Sequence, residues 1–139
     1  RPRVFVYVAL LALLTSALGY GLLNRVPLEV DIMRDRNALY RETLDGLIEN
    51  VYNVKVINMA EDPQVYRLSV SGLEGLTVVG PTADIEIASG AVLDLPLRLQ
   101  VDPVNISDAS SRVIFHIESQ THPEIRLDET ARFLGPIGR

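Results

Sequence analysis

The sequence predicts a mainly β fold: a two-layer antiparallel sandwich of about seven strands, preceded by one transmembrane α-helix. Three observations carry this reading. Residues 4–23 are 20 in a row without a charge, and 16 of them are apolar. From Pro27 onward, apolar residues recur at every second position, the period of a sheet with one buried and one solvated face. Pairs such as Asp45-Gly46, Gly80-Pro81, Ser89-Gly90 and Asp102-Pro103 then punctuate the runs with turn chemistry.

Composition bounds the function. The chain has 139 residues, 13 basic against 18 acidic, a formal net charge of −5 and no cysteine. At about 100–200 residues per domain, that is one domain and an appendage. An acidic balance argues against nucleic acid as a partner, since such binding needs a basic stripe to displace counterions from phosphates. Without cysteine, these residues can form no disulfide, thiolate zinc site, iron–sulfur ligation or cysteine nucleophile.

The appendage is the apolar run, residues 1–26 with its flanks. At 1.5 Å per residue, a helix of this length spans roughly 30 Å, the hydrocarbon thickness of a bilayer. Phe5, Tyr7 and Tyr20 sit near its ends, where aromatic rings favour the headgroup boundary, and Arg1, Arg3 and Arg25 flank it. A signal peptide is the competing reading; the run is longer than a usual h-region and offers only Ala17-Leu18-Gly19 as a small-x-small site. A buried soluble helix fails because no face of the run is polar. Orientation stays open on these residues: Arg25, Arg34, Arg36 and Arg41 favour a cytoplasmic C-side, but a folded domain translocates regardless of charge.

Residues 27–139 form the β domain. Leu28, Val30 and Ile32 point inward, then Tyr52, Val54 and Val56, then Tyr66, Leu68 and Val70. The longest run is Ala91, Leu93, Leu95, Leu97, Leu99 and Val101, followed by Val113, Phe115 and Ile117. Residues 76–79, 85–87 and 125–133 supply the remaining strands. Pro96 points outward and lacks an N–H, so its strand lies at an edge there or carries a bulge. Seven or eight short strands fit a sandwich of immunoglobulin type. The inter-sheet disulfide and core tryptophan of that fold are missing, so aliphatic packing alone is expected to hold the sheets together. A helical turn at residues 37–43, capped by Asn37, competes with a hairpin around Asp45-Gly46.

The chemistry is sparse. His116 and His122 are the only histidines. With Glu118 or Glu124 they are candidates for a surface copper or zinc site, since imidazole suits both metals. The plainer reading, a histidine on a strand's solvent face and another in a loop before proline, outweighs it. No local context supports a Ser–His–Asp triad, and no glycine-rich phosphate loop is present. No catalytic or cofactor-binding residue is therefore assigned, and no metal site.

One segment stands out: Arg34-Asp35-Arg36-Asn37-Ala38-Leu39-Tyr40-Arg41-Glu42, followed by Asp45-Gly46-Leu47-Ile48-Glu49-Asn50-Val51-Tyr52. As physics alone it is a charge-laced loop whose ions pair locally, each exposed pair contributing about 0–1 kcal/mol. It follows the first strand after the helix and is expected near the membrane end of the domain, where it would meet lipid headgroups or neighbouring helices. The longer string, V-D-I-M-R-D-R-N-A-L-Y-R-E and then D-G-L-I-E-N-V-Y-N-V-K-V-I-N, resembles the C-terminal part of the FixG/CcoG family of cytochrome oxidase accessory proteins. The preceding R-P-R-V with its apolar run is similar to that family's last membrane helix, and Tyr66-Arg67-Leu68-Ser69-Val70-Ser71-Gly72-Leu73 also resembles it.

The resemblance implies a multi-pass protein of the bacterial inner membrane with this Ig-like domain in the periplasm. It implies two [4Fe-4S] clusters held by cysteines upstream of Arg1, none of them in this segment. It implies an iron–sulfur oxidoreductase that reduces copper for assembly of cbb-type cytochrome c oxidase, with oxidase subunits or a copper chaperone as partners of the domain. The alternative is a single-pass membrane-anchored Ig-like binding module without a redox role. Residues marked by the resemblance, with no role assigned, are Arg34, Asp35, Arg36, Asn37, Arg41, Glu42, Asp45, Gly46, Glu49 and Asn50.

Overall fold

The computed structural model describes residues 1–23 and 25–136. Helix α1 (Pro2–Leu23) precedes β1 (Leu28–Arg34), β2 (Arg41–Glu42), β3 (Ile48–Asn58), β4 (Gln64–Ser71), β5 (Thr77–Val79), β6 (Ile85–Ile87), β7 (Val92–Val101), β8 (Ser110–Ser119) and β9 (Arg126–Leu134). A single 3₁₀ turn, Pro103–Asn105, follows β7. α1 buries none of its residues and, at 22 residues, is long and apolar enough to cross a membrane.

All strand pairs are antiparallel. Sheet A runs β1-β3-β7-β5, with β2 also on β3, and sheet B runs β6-β4-β8-β9. β1, β3, β7 and β5 hold the places of strands A, B, E and D of an immunoglobulin sandwich, and β4, β8 and β9 those of C, F and G. The alternation sets the inward faces as expected, with Tyr52, Val54, Leu97, Leu99, Val113 and Phe115 fully buried between the sheets. The strand the alternation missed is β2, only two residues long. It closes a hairpin onto β3 in which Gly46 donates to the Thr43 carbonyl (2.9 Å) with φ at +82°. The hairpin thus prevails over a helical turn at residues 37–43. β7 pairs with β3 in continuous register, but β5 covers it only from Arg98 to Gln100, so Pro96 lies where that flank of β7 has no strand beside it.

Aliphatic packing does not hold the sheets together alone. β3 carries a buried asparagine near each end, and each reaches the other sheet. At one end, the Asn58 side-chain amide donates to the carbonyls of Ile87 and Asp62, both at 3.0 Å. Its oxygen accepts from the Tyr66 hydroxyl and the Ala60 N–H, also at 3.0 Å, so every hydrogen-bonding position of the group is used. At the other end, Asn50 brackets Leu134 of β9, donating to its carbonyl (2.8 Å) and accepting from its N–H (2.9 Å). The Tyr52 hydroxyl donates to the Arg132 carbonyl at 2.6 Å. These side chains also occupy backbone groups that β9, an edge strand, would otherwise offer to another chain.

Burial pushes the pKa of both tyrosines above the ordinary phenol range; at Tyr52, nearby Arg34 opposes the shift more weakly. A raised folded-state pKa means this stabilisation is complete below about pH 10, where unfolded tyrosine titrates, and is lost as pH rises toward the folded values. Denaturant titrations should therefore show stability falling above about pH 10. A Tyr52→Phe/Tyr66→Phe double variant, less stable at neutral pH, should lose less on the same alkaline step.

Gly72, just past β4, has φ at +124°, and a Cβ there would collide with the backbone carbonyl of Arg112, so glycine alone lets β4 turn away from β8.

Candidate functional site

β1 carries the unusual charged segment away from α1. Its register with β3 runs from Leu28 opposite Asn58 to Arg34 opposite Tyr52, which places Arg34 about 20 Å along the strand from the end the chain enters. Measured from the point where the chain enters at Pro27, the segment therefore lies at the opposite end of the domain, not beside that entry as its closeness in sequence suggests. Strand direction overrides closeness in sequence. The end near Pro27 is built instead from the loops after β3, β6 and β8: Met59 donates to the Pro27 carbonyl (3.0 Å), and Gly90 to that of Asn58 (2.8 Å).

Residues 35–40 are the break between β1 and β2, which lie end to end along the same side of β3. Asp35 anchors the break. Its N–H donates to the Val51 carbonyl (2.9 Å), its carboxylate accepts from the Asn37 N–H (3.0 Å), and it pairs with Arg41 at 3.6 Å. The local ion pairing read from the charges is thus present. Arg34 reaches the Leu39 carbonyl at 3.5 Å. Arg36 and Glu42 are exposed, and Asp45-Gly46 forms the β2–β3 turn.

Glu49 and Asn50 are buried and structural. The Glu49 carboxylate accepts from Gln100 (2.6 Å) and pairs with Arg98 (3.7 Å). The start of this segment borders a groove of about 690 Å³ on the outer face of sheet A, floored by Met33, Asn53 and Pro96 in cross-strand register and walled by residues 34–36. Met33, Leu39, Tyr40 and Leu44 are all exposed at this end.

The two histidines have separate partners. His116 stands on the solvent face of β8, as alternation required. Its Nδ1 lies 2.7 Å from Asp128 Oδ1 and its Nε2 2.8 Å from Ser71 Oγ, across β9 and β4. His122, in the loop after β8, lies 3.1 Å from Thr121 Oγ1 and 3.3 Å from Gln64 Oε1. Among the described residues, no group of three or more His, Asp or Glu side chains converges as a metal site. Ser71, His116 and Asp128 have the connectivity of a nucleophilic triad, which single-sequence reading did not find because the three come from three strands. The histidine and aspartate side chains are 37% and 66% exposed. Water therefore competes for their hydrogen bonds, unlike the dry, preorganised setting in which a serine nucleophile is activated. The trio acts here as a surface network that fixes the His116 ring.

Comparison with known proteins gives a consistent picture. Residues 18–136 match a family model described as "IG-like fold at C-terminal of FixG, putative oxidoreductase". The nitrogen fixation protein FixG of Rhizobium meliloti is 36% identical over 78 residues, covering 56% of this chain and 15% of that protein. Protein RdxA of Cereibacter sphaeroides is 28% identical over 139 residues, covering 99% of this chain and 28% of its own length. The chain thus spans less than a third of these relatives. The crystal structure of a FixG-related protein from Vibrio parahaemolyticus superposes with a TM-score of 0.71 at 32% identity, covering 80% of this chain and 98% of the solved one.

Proposed function

This chain belongs to the FixG family as its C-terminal Ig-like domain with an apolar helix before it, and from that premise we propose that it serves as the anchor and docking domain of a membrane iron–sulfur oxidoreductase. The observation that supports the reading is the family match, which runs from within α1 to just past β9 and describes the Ig-like fold at the C-terminus of FixG. The parent protein crosses the inner membrane several times, holds two [4Fe-4S] clusters and reduces copper for delivery to a cbb-type cytochrome c oxidase, with this domain in the periplasm. Copper is cargo in this scheme. With no cysteine, these 139 residues cannot ligate the clusters by thiolate, so the electron-transfer chemistry lies outside them.

What the domain itself offers is a rigid surface. Its sheets are locked by the Asn50 and Asn58 bridges, its free edge at β9 is partly closed, and Met33, Leu39, Tyr40 and Leu44 are exposed at the end far from Pro27. Such a body suits recognition of an oxidase subunit or a copper chaperone at a fixed height above a membrane. Deleting residues 27–139 from the full-length protein, with the membrane part still inserted, is expected to lower oxidase activity in isolated membranes. Oxidase activity and copper content equal to those of the unaltered strain would overturn the docking role.

A further inference from the structure

Two of the four arginines on the sheet A side are ion-paired, Arg34 and Arg36 being the exceptions, and among the described residues none on the outer face of sheet B is. On the sheet A side, Arg98 pairs with Glu49 and Arg41 with Asp35. On the outer face of sheet B, Arg67 projects from β4, Arg112 from β8, and Arg126 and Arg132 from β9. All four are exposed, and among the described residues none forms an ion pair.

The register sharpens the contrast. Arg112 stands directly opposite Arg132, a like-charge cross-strand pair that weakens a sheet unless something neutralises it. Arg67 and Arg126 flank the single carboxylate of Glu118 from either side. Between these two rows, Asp128 is engaged by His116, which is in turn held by Ser71, so that carboxylate is directed to an imidazole. Each arginine row borders an open cavity, of about 400 Å³ beside Arg67 and Arg126 and about 390 Å³ beside Arg112 and Arg132. Four guanidinium groups thus share this face with the carboxylates of Glu86, Glu118 and Asp128, and the Arg112–Arg132 row is the one with no carboxylate in register with it.

The geometry points to the β4–β8–β9 face as the surface on which an acidic polypeptide segment of a partner protein docks. This rests on the docking role proposed above and assigns it a face and a partner chemistry. Guanidinium groups match carboxylates in planar, two-pronged hydrogen bonding, and charge complementarity of this kind sets partner choice and encounter rate. The rows at Glu118 and Arg112 are six residues apart on β8, about 20 Å, so the partner presents acidic groups at both ends of an extended stretch of that length.

The test uses the full-length protein with two double reversals, Arg112→Glu/Arg132→Glu and Arg67→Glu/Arg126→Glu, and Arg36→Glu as a control beyond sheet A. Melting temperatures establish that each variant is folded. A fluorescent polyglutamate peptide of about ten residues, long enough to span both rows, serves as the probe, with polyglutamine as its neutral counterpart. Binding of polyglutamate that weakens about tenfold in each double reversal, stays near its original value in the control and declines with added salt is the expected result. In cells, the double reversals are expected to lower oxidase activity as deletion of the domain does. Polyglutamate binding unchanged in the double reversals, or full oxidase activity with the face reversed, would overturn the proposal. If deletion lowers activity and reversal does not, the docking role stands and this face is wrong; if neither does, the docking role itself falls.

Discussion

Replacing Asn58 by alanine is expected to destabilise the domain by about 3–4 kcal/mol, measured by denaturant unfolding at neutral pH. The side chain is fully buried, and all four of its hydrogen bonds end on groups that need them. Its loss orphans the Tyr66 hydroxyl and the Ile87 carbonyl in the interior, at about 1–3 kcal/mol each. The Asp62 carbonyl and Ala60 N–H lie in the loop after β3 and recover water more easily. Asn58→Asp should fare no better, because it sets a carboxylate oxygen against two carbonyls that had been accepting from N–H groups. Tyr66→Phe removes only one bond of the set and should cost about 1 kcal/mol. A loss below about 1 kcal/mol for Asn58→Ala would mean that the sheets are held by apolar packing after all.

Phe115→Ala is expected to cost about 3–5 kcal/mol. The ring is fully buried on β8 and meets Tyr52 edge to face, with centroids 5.4 Å apart and an interplanar angle of 67°. Truncation removes apolar area, leaves a cavity between sheets whose bridges resist collapse, and forfeits an aromatic contact of about 0.5–1.5 kcal/mol. Phe115→Leu fills most of that space and should cost much less. Since Tyr52 also carries the hydrogen bond to Arg132, Phe115→Ala and Tyr52→Phe should couple in a double-mutant cycle by more than about 0.5 kcal/mol. Independent effects would show that the ring contact and the hydrogen bond are separate supports.

The alternation of Tyr52, Val54 and Val56 marked the inward face of β3 without a structure, and the same parity placed His116 in solvent. Asn50 and Asn58 lie on that inward parity as well. Polar residues in phase with a buried face were the available signal for the inter-sheet bridges. Their partners were not legible, because Leu134 is 84 positions from Asn50 and Ile87 is 29 from Asn58. The Arg34-to-Glu42 string was legible as unusual and as locally ion-paired. Its location was not, because β1 runs the length of the sandwich between it and Pro27, and closeness in sequence to the helix does not make it close in space. The Ser71–His116–Asp128 network and the unpaired arginines of sheet B depend on strand register, which alternation leaves undetermined.

The proposed parent of this domain is a membrane iron–sulfur oxidoreductase. Intact mass and iron content of the native protein, purified through a tag placed after Arg139, test it most directly. The expected result is a chain several times longer than 139 residues, carrying about eight irons, the content of two four-iron clusters. A native chain beginning near Arg1 and free of iron would contradict it, and would leave a membrane-tethered Ig-like binding module.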